Sequence, residues 1–286
     1  MALCLALMAG MLGADNEPID LDTAAGAHRF VEVARRAYAD RATHLGDSDF
    51  YDVPRAWLLS PAYARQREAE IGDRATPSAE VRAGTATDPE GEETTHYSVL
   101  DADGMAVSVT TTLNFGYGSL VSVEGAGFLL NNEMDDFSAK PGVPNAYGLV
   151  GNEANAIEPG KRMLSSMSPT IVTLDGAVEL VTGTPGGATI ITSVLQQLIR
   201  IFDQGQSAAT AIAAPRIHHQ WLPDKVFYEA DRQPPAKVLE GLRKRGHDLA
   251  ARGRIGSVCT IHVGRDGVVA VADPRGRGSA ATWTPP

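Results

Sequence analysis

The chain has 286 residues, 43% hydrophobic and 21% charged, long enough to bury a sizeable core in one large domain or two. Its net charge of −10 argues against nucleic acid or an anionic membrane surface as partner. Two cysteines far apart, Cys4 and Cys259, give neither a metal-ligand spacing nor a disulfide framework.

Residues 2–12 are mostly apolar. The run is too short to span a bilayer, and it lacks the basic start and small-residue cleavage site of a signal peptide; a buried helix is expected. Thr23 to Thr43 has Phe30, Ala34, Ala37 and Tyr38 at helical spacing, with Asp22 or Thr23 able to cap it. Arg35, Arg36 and Arg41 are assigned to its solvated face. Ser60 to Ile71 predicts another helix, with Pro61 in its first turn. Thr76 to Glu93 is rich in Thr, Pro, Ala, Gly and Glu and reads as a flexible, exposed linker.

At Thr94 the texture changes. Thr94 to Val99 alternates with the period of a strand, Asp101-Ala102-Asp103-Gly104 signals a turn, and Met105 to Asn114 is a second strand rich in Val and Thr. Thr112 and Asn114 share one face of that strand; whether Thr94 faces the same way depends on a one-residue choice of register. The junction has two readings. One is an ordinary linker entering a hairpin. The other is a cut between Glu93 and Thr94, after which Thr94 would carry a nucleophilic hydroxyl and, in its α-amine, a base with pKa of roughly 7.7–8.0. Nothing in spacing or composition decides for the cut.

Further on, Phe128 to Leu130 predicts a short apolar strand that ends at Asn131-Asn132-Glu133-Met134-Asp135-Asp136. Three close carboxylates suit a solvated loop or a site for an ammonium group; the alternating ligands of a calcium loop are absent. Lys140 to Gly151 is a Pro/Gly loop, and Ser165-Ser166 lies in a polar turn whose hydroxyls and amides could bond a carboxylate, or simply make a serine turn. Strands are expected at Thr170–Leu174 and Val178–Thr182, then Gly183-Thr184-Pro185-Gly186-Gly187 leads into a helix from about Thr189 to Asp203 that Gly205 ends. Glycines at a helix start can present amides to an anion, but no Gly-Lys-Ser/Thr follows, which excludes a nucleotide phosphate loop. Pro215 to Pro223 holds adjacent histidines that do not chelate well together, and is read as structural. A helix over Pro234–Gly246 and a hairpin of Ser257–Val263 with Val268–Ala272 complete the pattern.

Thr94-Thr95-His96-Tyr97-Ser98-Val99, Asn131-Asn132-Glu133-Met134-Asp135-Asp136-Phe137-Ser138, Ser165-Ser166-Met167-Ser168-Pro169-Thr170 and Pro185-Gly186-Gly187 stand in the order seen in γ-glutamyltransferases. The chain resembles that family, also called glutathione hydrolases, within the N-terminal-nucleophile hydrolases. The resemblance implies an α/β four-layer αββα sandwich and self-cleavage between Glu93 and Thr94. Residues 94–286 resemble a complete small subunit. Residues 1–93, with the linker 76–93, resemble only the tail of a large one, so that the fold looks incomplete at its N-terminus. It further implies Thr94 as nucleophile with Thr112 bonding it, Gly186 and Gly187 as oxyanion donors, and Asn114 on the glutamyl group. Glu133 (Gln in some members) and Asp136 would hold the substrate α-ammonium, and Ser165 and Ser166 its α-carboxylate. The loop Lys140–Gly151 corresponds to a lid. Glutathione or other γ-glutamyl compounds would be donors, and an amino acid, peptide or water the acceptor. No metal or organic cofactor is implied. Full-length members are periplasmic or extracellular. The family also uses an arginine further upstream in the large subunit, to which no arginine here is assigned. Two rivals follow: an inactive fragment, or a related cephalosporin or poly-γ-glutamate acylase.

Overall fold

The computed structural model describes residues 2–13, 18–81, 94–143, 149–264 and 267–283. Helix α1 (Ala2–Leu12) is apolar along its length; Cys4, Leu7, Met8 and Met11 are nearly inaccessible, while the small residues Ala6, Ala9 and Gly10 are exposed. None of the described helices is long and apolar enough to cross a membrane. Helix α2 (Ala24–His44) is capped by Thr23, whose hydroxyl accepts from the Gly26 amide at 3.1 Å. A short helix α3 (Arg55–Leu58) leads to α4 (Pro61–Ala69), which Ser60 caps through the Tyr63 amide.

The arginines of α2 overturn their expected place on a solvated face. Arg35 and Arg36 are 1% exposed and Arg41 5%. Their charges are met by groups the helix periodicity cannot reveal. Arg36 donates to Glu32 at 2.7 Å and to Glu70 Oε2 at 3.3 Å; Arg35 donates to Glu32, to Ser78 Oγ and to Asp224. Burial opposes ionisation of Glu32, but Arg35 and Arg36 outweigh it and its pKa is lowered. With partners on every side, α2 is packed all round.

The start of the expected linker is also packed. Ser78 is 1% exposed; its hydroxyl donates to the Trp221 carbonyl at 2.6 Å and its amide to Asp224 at 2.7 Å, while the Trp221 indole N–H reaches the Ser78 and Val81 carbonyls. Polar partners supplied from elsewhere in the chain replace the water an exposed linker would need. Residues 82–93 lie outside the described residues.

Strands β1 (Thr94–Leu100) and β2 (Ala106–Thr112) form an antiparallel hairpin in the register Thr94↔Thr112, His96↔Thr110, Ser98↔Ser108. This settles the register: Thr94 and Thr112 are cross-strand neighbours. The hairpin packs against a four-stranded sheet, ordered β3-β4-β8-β9, of β3 (Thr170–Leu174), β4 (Ala177–Gly183), β8 (Cys259–Gly264) and β9 (Gly267–Ala272). Thr94, His96 and Ser98 point into that interface. Tyr97 and Val99 point away and are each 49% exposed.

Beyond the four-stranded sheet lie α5 (Thr189–Leu198), continued by a π-helical turn Ile199–Asp203 and ended at Gly205 with φ +63°, and α6 (Ala208–Ala213). A small sheet of β5 (Ile217–His218), β6 (Val226–Glu229) and β7 (Leu249–Arg252) and helix α7 (Ala236–Lys244) complete the order. One core runs through α1, α2, α5 and α7, so residues on both sides of Thr94 share it. The expected strand at Phe128–Leu130 is reduced to an isolated bridge between Ser122 and Leu129. Gly125 and Gly127 take φ +76° and +74°, which turns the chain too sharply for a ladder, and Phe128 and Leu130 stay exposed.

Candidate active site

Thr94 opens β1, and its hydroxyl donates to Thr112 Oγ1 at 3.3 Å. The Thr112 hydroxyl in turn accepts the Asn114 amide at 2.8 Å. Asn114 sits just past β2 in the left-handed region, φ +75°, and is 2% exposed; such backbone at a polar buried side chain is a feature of functional sites. Its side chain donates to the Asn132 carbonyl at 3.2 Å, while Asn132 Oδ1 accepts the Phe115 amide and the Asn132 amide bonds Leu113. The asparagine pair therefore staples the acidic segment to the end of β2. The segment itself folds as a 3-10 turn, Glu133–Asp136.

Asn155, unassigned by sequence, ties this turn to the serine pair. Its amide donates to the Asp136 carbonyl at 2.8 Å and its Oδ1 accepts the Leu164 amide at 2.9 Å. Arg41 donates to Ser166 Oγ at 3.2 Å from the interior side. Tyr38, one turn back on α2, donates to the carbonyl of Ala188, the residue after Gly187. Arg41 lies four residues after Ala37 and three after Tyr38, within the stripe the sequence already marked as inward; that spacing was the available signal.

The loop after β4 is built from glycines for steric reasons. Gly186 and Gly187 have φ +137° and +51°. A Cβ on Gly186 would lie 2.6 Å from Thr189 Oγ1 and 3.3 Å from Gly256 Cα. The Gly186 carbonyl accepts from the Thr189 amide and hydroxyl, and Thr184 Oγ1 accepts the Ser257 amide, so the turn is fixed at both ends.

One cleft, about 320 Å³ including its open mouth, is lined by Thr94, Thr112, Asn114, Asp136, Ser165, Ser166 and Gly187 together with apolar Leu149, Met167, Ala188 and Ile190. Gly186 and Glu133 are outside its lining: Gly186 precedes Gly187 in the turn, and Glu133 opens the 3-10 turn that Asp136 closes. Glu93 lies outside the described residues, as do 144–148 of the expected lid loop. Desolvation lifts the Asp136 pKa to about 7, with Arg41 pulling it down and Glu133 and Asp135 pushing it up. Burial raises Glu133 as well.

Among the described residues one group has metal-ligand spacing, His28, Glu32 and His247. It is bonded internally. His28 Nε2 lies 2.8 Å from the Gly72 carbonyl, so it carries the proton; His28 Nδ1 therefore accepts from His247 Nε2 at 2.7 Å, and His247 Nδ1 faces the Arg35 guanidinium at 3.5 Å. The two arginines on Glu32 already supply the positive charge an ion would bring.

The packed sheets, with a threonine opening one strand of the hairpin and sharing a cleft with a glycine turn, define the fold class of N-terminal-nucleophile hydrolases. A cephalosporin acylase from Bacillus halodurans is similar in fold, with a TM-score of 0.81 and 25% identity over 99% of this chain and 49% of that chain, and the fold is the four-layer αββα sandwich. A family model described as Gamma-glutamyltranspeptidase matches residues 1–283, and the chain belongs to that family. It is 52% identical over 268 residues to a glutathione hydrolase proenzyme of Pseudomonas aeruginosa, covering 93% of this chain and 47% of the relative. A gamma-glutamyltranspeptidase from Pseudomonas nitroreducens, solved with L-DON, is 53% identical with a TM-score of 0.64, covering 66% of this chain and 100% of that one. The chain spans about half the length of the curated relatives it matches.

Proposed function

We propose that this chain carries the chemical centre of a γ-glutamyl-transferring hydrolase that activates itself by cleavage between Glu93 and Thr94. The observation that carries the proposal is the convergence of a strand-opening threonine, a half-buried carboxyl, a serine pair and a glycine turn on one cleft. Relatives named proenzymes, and one solved structure whose description speaks of autoprocessing, support the cleavage.

After cleavage the Thr94 hydroxyl attacks the γ-carbonyl carbon of a γ-glutamyl amide, and its proton passes to the α-amine of the same residue. The carbonyl oxygen becomes an oxyanion that the Gly186 and Gly187 amides face; one such donor is worth about 2.7–4 kcal/mol. Collapse breaks the C–N bond, the leaving amine takes the proton, and an ester joins the glutamyl group to Thr94. Water or an amine then attacks the ester and returns the hydroxyl. Thr112 orients the nucleophile. Asp136, with Glu133 beside it, receives the substrate ammonium; Ser165 and Ser166, backed by Arg41, receive its carboxylate; Asn114 holds the glutamyl chain. Residues 1–93 and 94–286 act as the paired pieces of the cleaved protein, with glutathione as the favoured donor.

The acylase alternative is supported by a cephalosporin acylase at 25% identity, against 52% for the glutathione hydrolase of P. aeruginosa. The test is turnover of a γ-glutamyl anilide and of a glutaryl amide, which lacks the α-ammonium, by the complete gene product. Hydrolysis of the first, lost in Thr94→Ala, supports the proposal. Preference for the second would favour an acylase.

A further inference from the structure

Gly183 ends β4, three residues before Gly186, and its φ is not among the positive values that call for glycine. Something other than backbone conformation therefore excludes a side chain there. A Cβ at Gly183 would lie 2.3 Å from Cε1, 2.5 Å from Nδ1 and 2.8 Å from Nε2 of His96. The imidazole rests directly on the glycine, in space a methyl group would need.

His96 is two residues after Thr94 on the same inward face of β1, and is 7% exposed. Its ring is fixed at both nitrogens, with Nδ1 2.8 Å from Thr110 Oγ1 and Nε2 3.1 Å from Ser98 Oγ. The strand beneath cannot yield easily. Gly183 pairs with Cys259 on β8, and Thr182 Oγ1 bonds Gln197 and Thr260, each at 2.7 Å. A second clip, from Ser108 Oγ to the Thr182 carbonyl at 2.8 Å, closes the hairpin onto the same strand.

We propose that His96 is a positioning residue whose ring, seated on Gly183, sets the height of the nucleophile strand above the glycine turn. The proposal rests on the reading of Thr94 and Gly186-Gly187 given above. A displacement of one ångström between nucleophile and oxyanion donors can cost two orders of magnitude in rate, and the stacked pair is a direct mechanical link between the two. The ring is a spacer and not a proton carrier: burial draws its pKa down to about 4, so it stays neutral wherever the α-amine of Thr94 works.

The test is a double-mutant cycle in the complete, cleaved protein: Gly183→Ala, His96→Ala and both together, with His96→Gln as a volume-keeping control. Gly183→Ala should lower kcat on a γ-glutamyl anilide at least tenfold with KM changed less than threefold, because the glutamate-binding groups sit on other elements. Adding His96→Ala should recover part of that loss, His96→Gln should outperform His96→Ala, and no His96 variant should move the acidic limb of the pH–rate profile. Independent effects at the two positions in kcat, or a displaced limb, would overturn the proposal. If Gly183→Ala fails to fold, the Gln-against-Ala comparison and the pH profile decide alone. Melting temperatures give a readout that does not depend on activity. Wild-type protein without turnover would sink the reading of the site, while additive melting shifts at the two positions would sink the contact itself.

Discussion

Replacing Asp136 by Asn separates charge from shape at the centre of the cleft. The carboxyl of Asp136 titrates near 7 instead of 3.8, chiefly because it is desolvated. Only the ionised form can pair with a substrate ammonium. Below pH 7, kcat/KM of the wild type should therefore fall with a slope approaching two, since both Asp136 and the Thr94 α-amine must lose a proton. Asp136→Asn should retain the single slope of the amine. It should also lose roughly ten- to 150-fold in kcat/KM, from a charge-assisted bond worth about 1.5–3 kcal/mol. Stability should move the other way. A carboxyl whose folded pKa exceeds its unfolded one binds its proton more tightly in the native state, so stability falls as pH rises from about 4 through 7. A shift of about three units corresponds to at most about 4 kcal/mol. Asp136→Asn should thus match the wild type at pH 4 and melt higher at pH 8. Steady-state kinetics on a γ-glutamyl anilide and thermal melts across pH 4–9 make both measurements. A variant with unchanged kcat/KM, or one less stable at pH 8, would rule out a desolvated, ammonium-binding carboxylate at Asp136.

Two further outcomes follow from the buried arginines. Arg41→Met should raise KM for a γ-glutamyl anilide and push the Asp136 limb to higher pH, because it removes the cation that both orients Ser166 and favours the ionised carboxyl; Arg41→Lys should keep the limb nearer its place, and kinetics across pH decide. Glu32→Gln leaves Arg35 and Arg36 buried without their shared carboxylate and should cost about 3–5 kcal/mol of stability, read by denaturant unfolding.

The parts legible in the sequence were those with a local signature. Alternation at Thr94–Val99 and a four-residue turn marked the hairpin, the Pro-Gly-Gly turn preceded a strongly amphipathic helix, and the motif order carried Thr94, Asp136, Ser165, Ser166 and Gly187, which line one cleft. What escaped was non-local. Arg35, Arg36 and Arg41 read as a wet face because their partners Glu70, Ser78, Asp224 and Ser166 lie 34 to 189 positions away. The start of the linker looked exposed because Trp221, which bonds Ser78 and Val81, is more than a hundred residues downstream. The register that brings Thr112 beside Thr94 needed the pairing itself. Gly183 carried no signal, since a glycine demanded by a neighbour's ring looks the same in sequence as one demanded by a turn.

In the proposed mechanism Thr94 becomes a chain terminus and acts there as the nucleophile. The most direct measurement is the intact mass of the complete gene product with time. The expected result is a fragment beginning at Thr94 that gains one glutamyl group when trapped with a slow γ-glutamyl substrate, and a Thr94→Ala protein that stays whole. A wild-type product that remains uncut after long incubation, or a glutamyl adduct on any other residue, would contradict it.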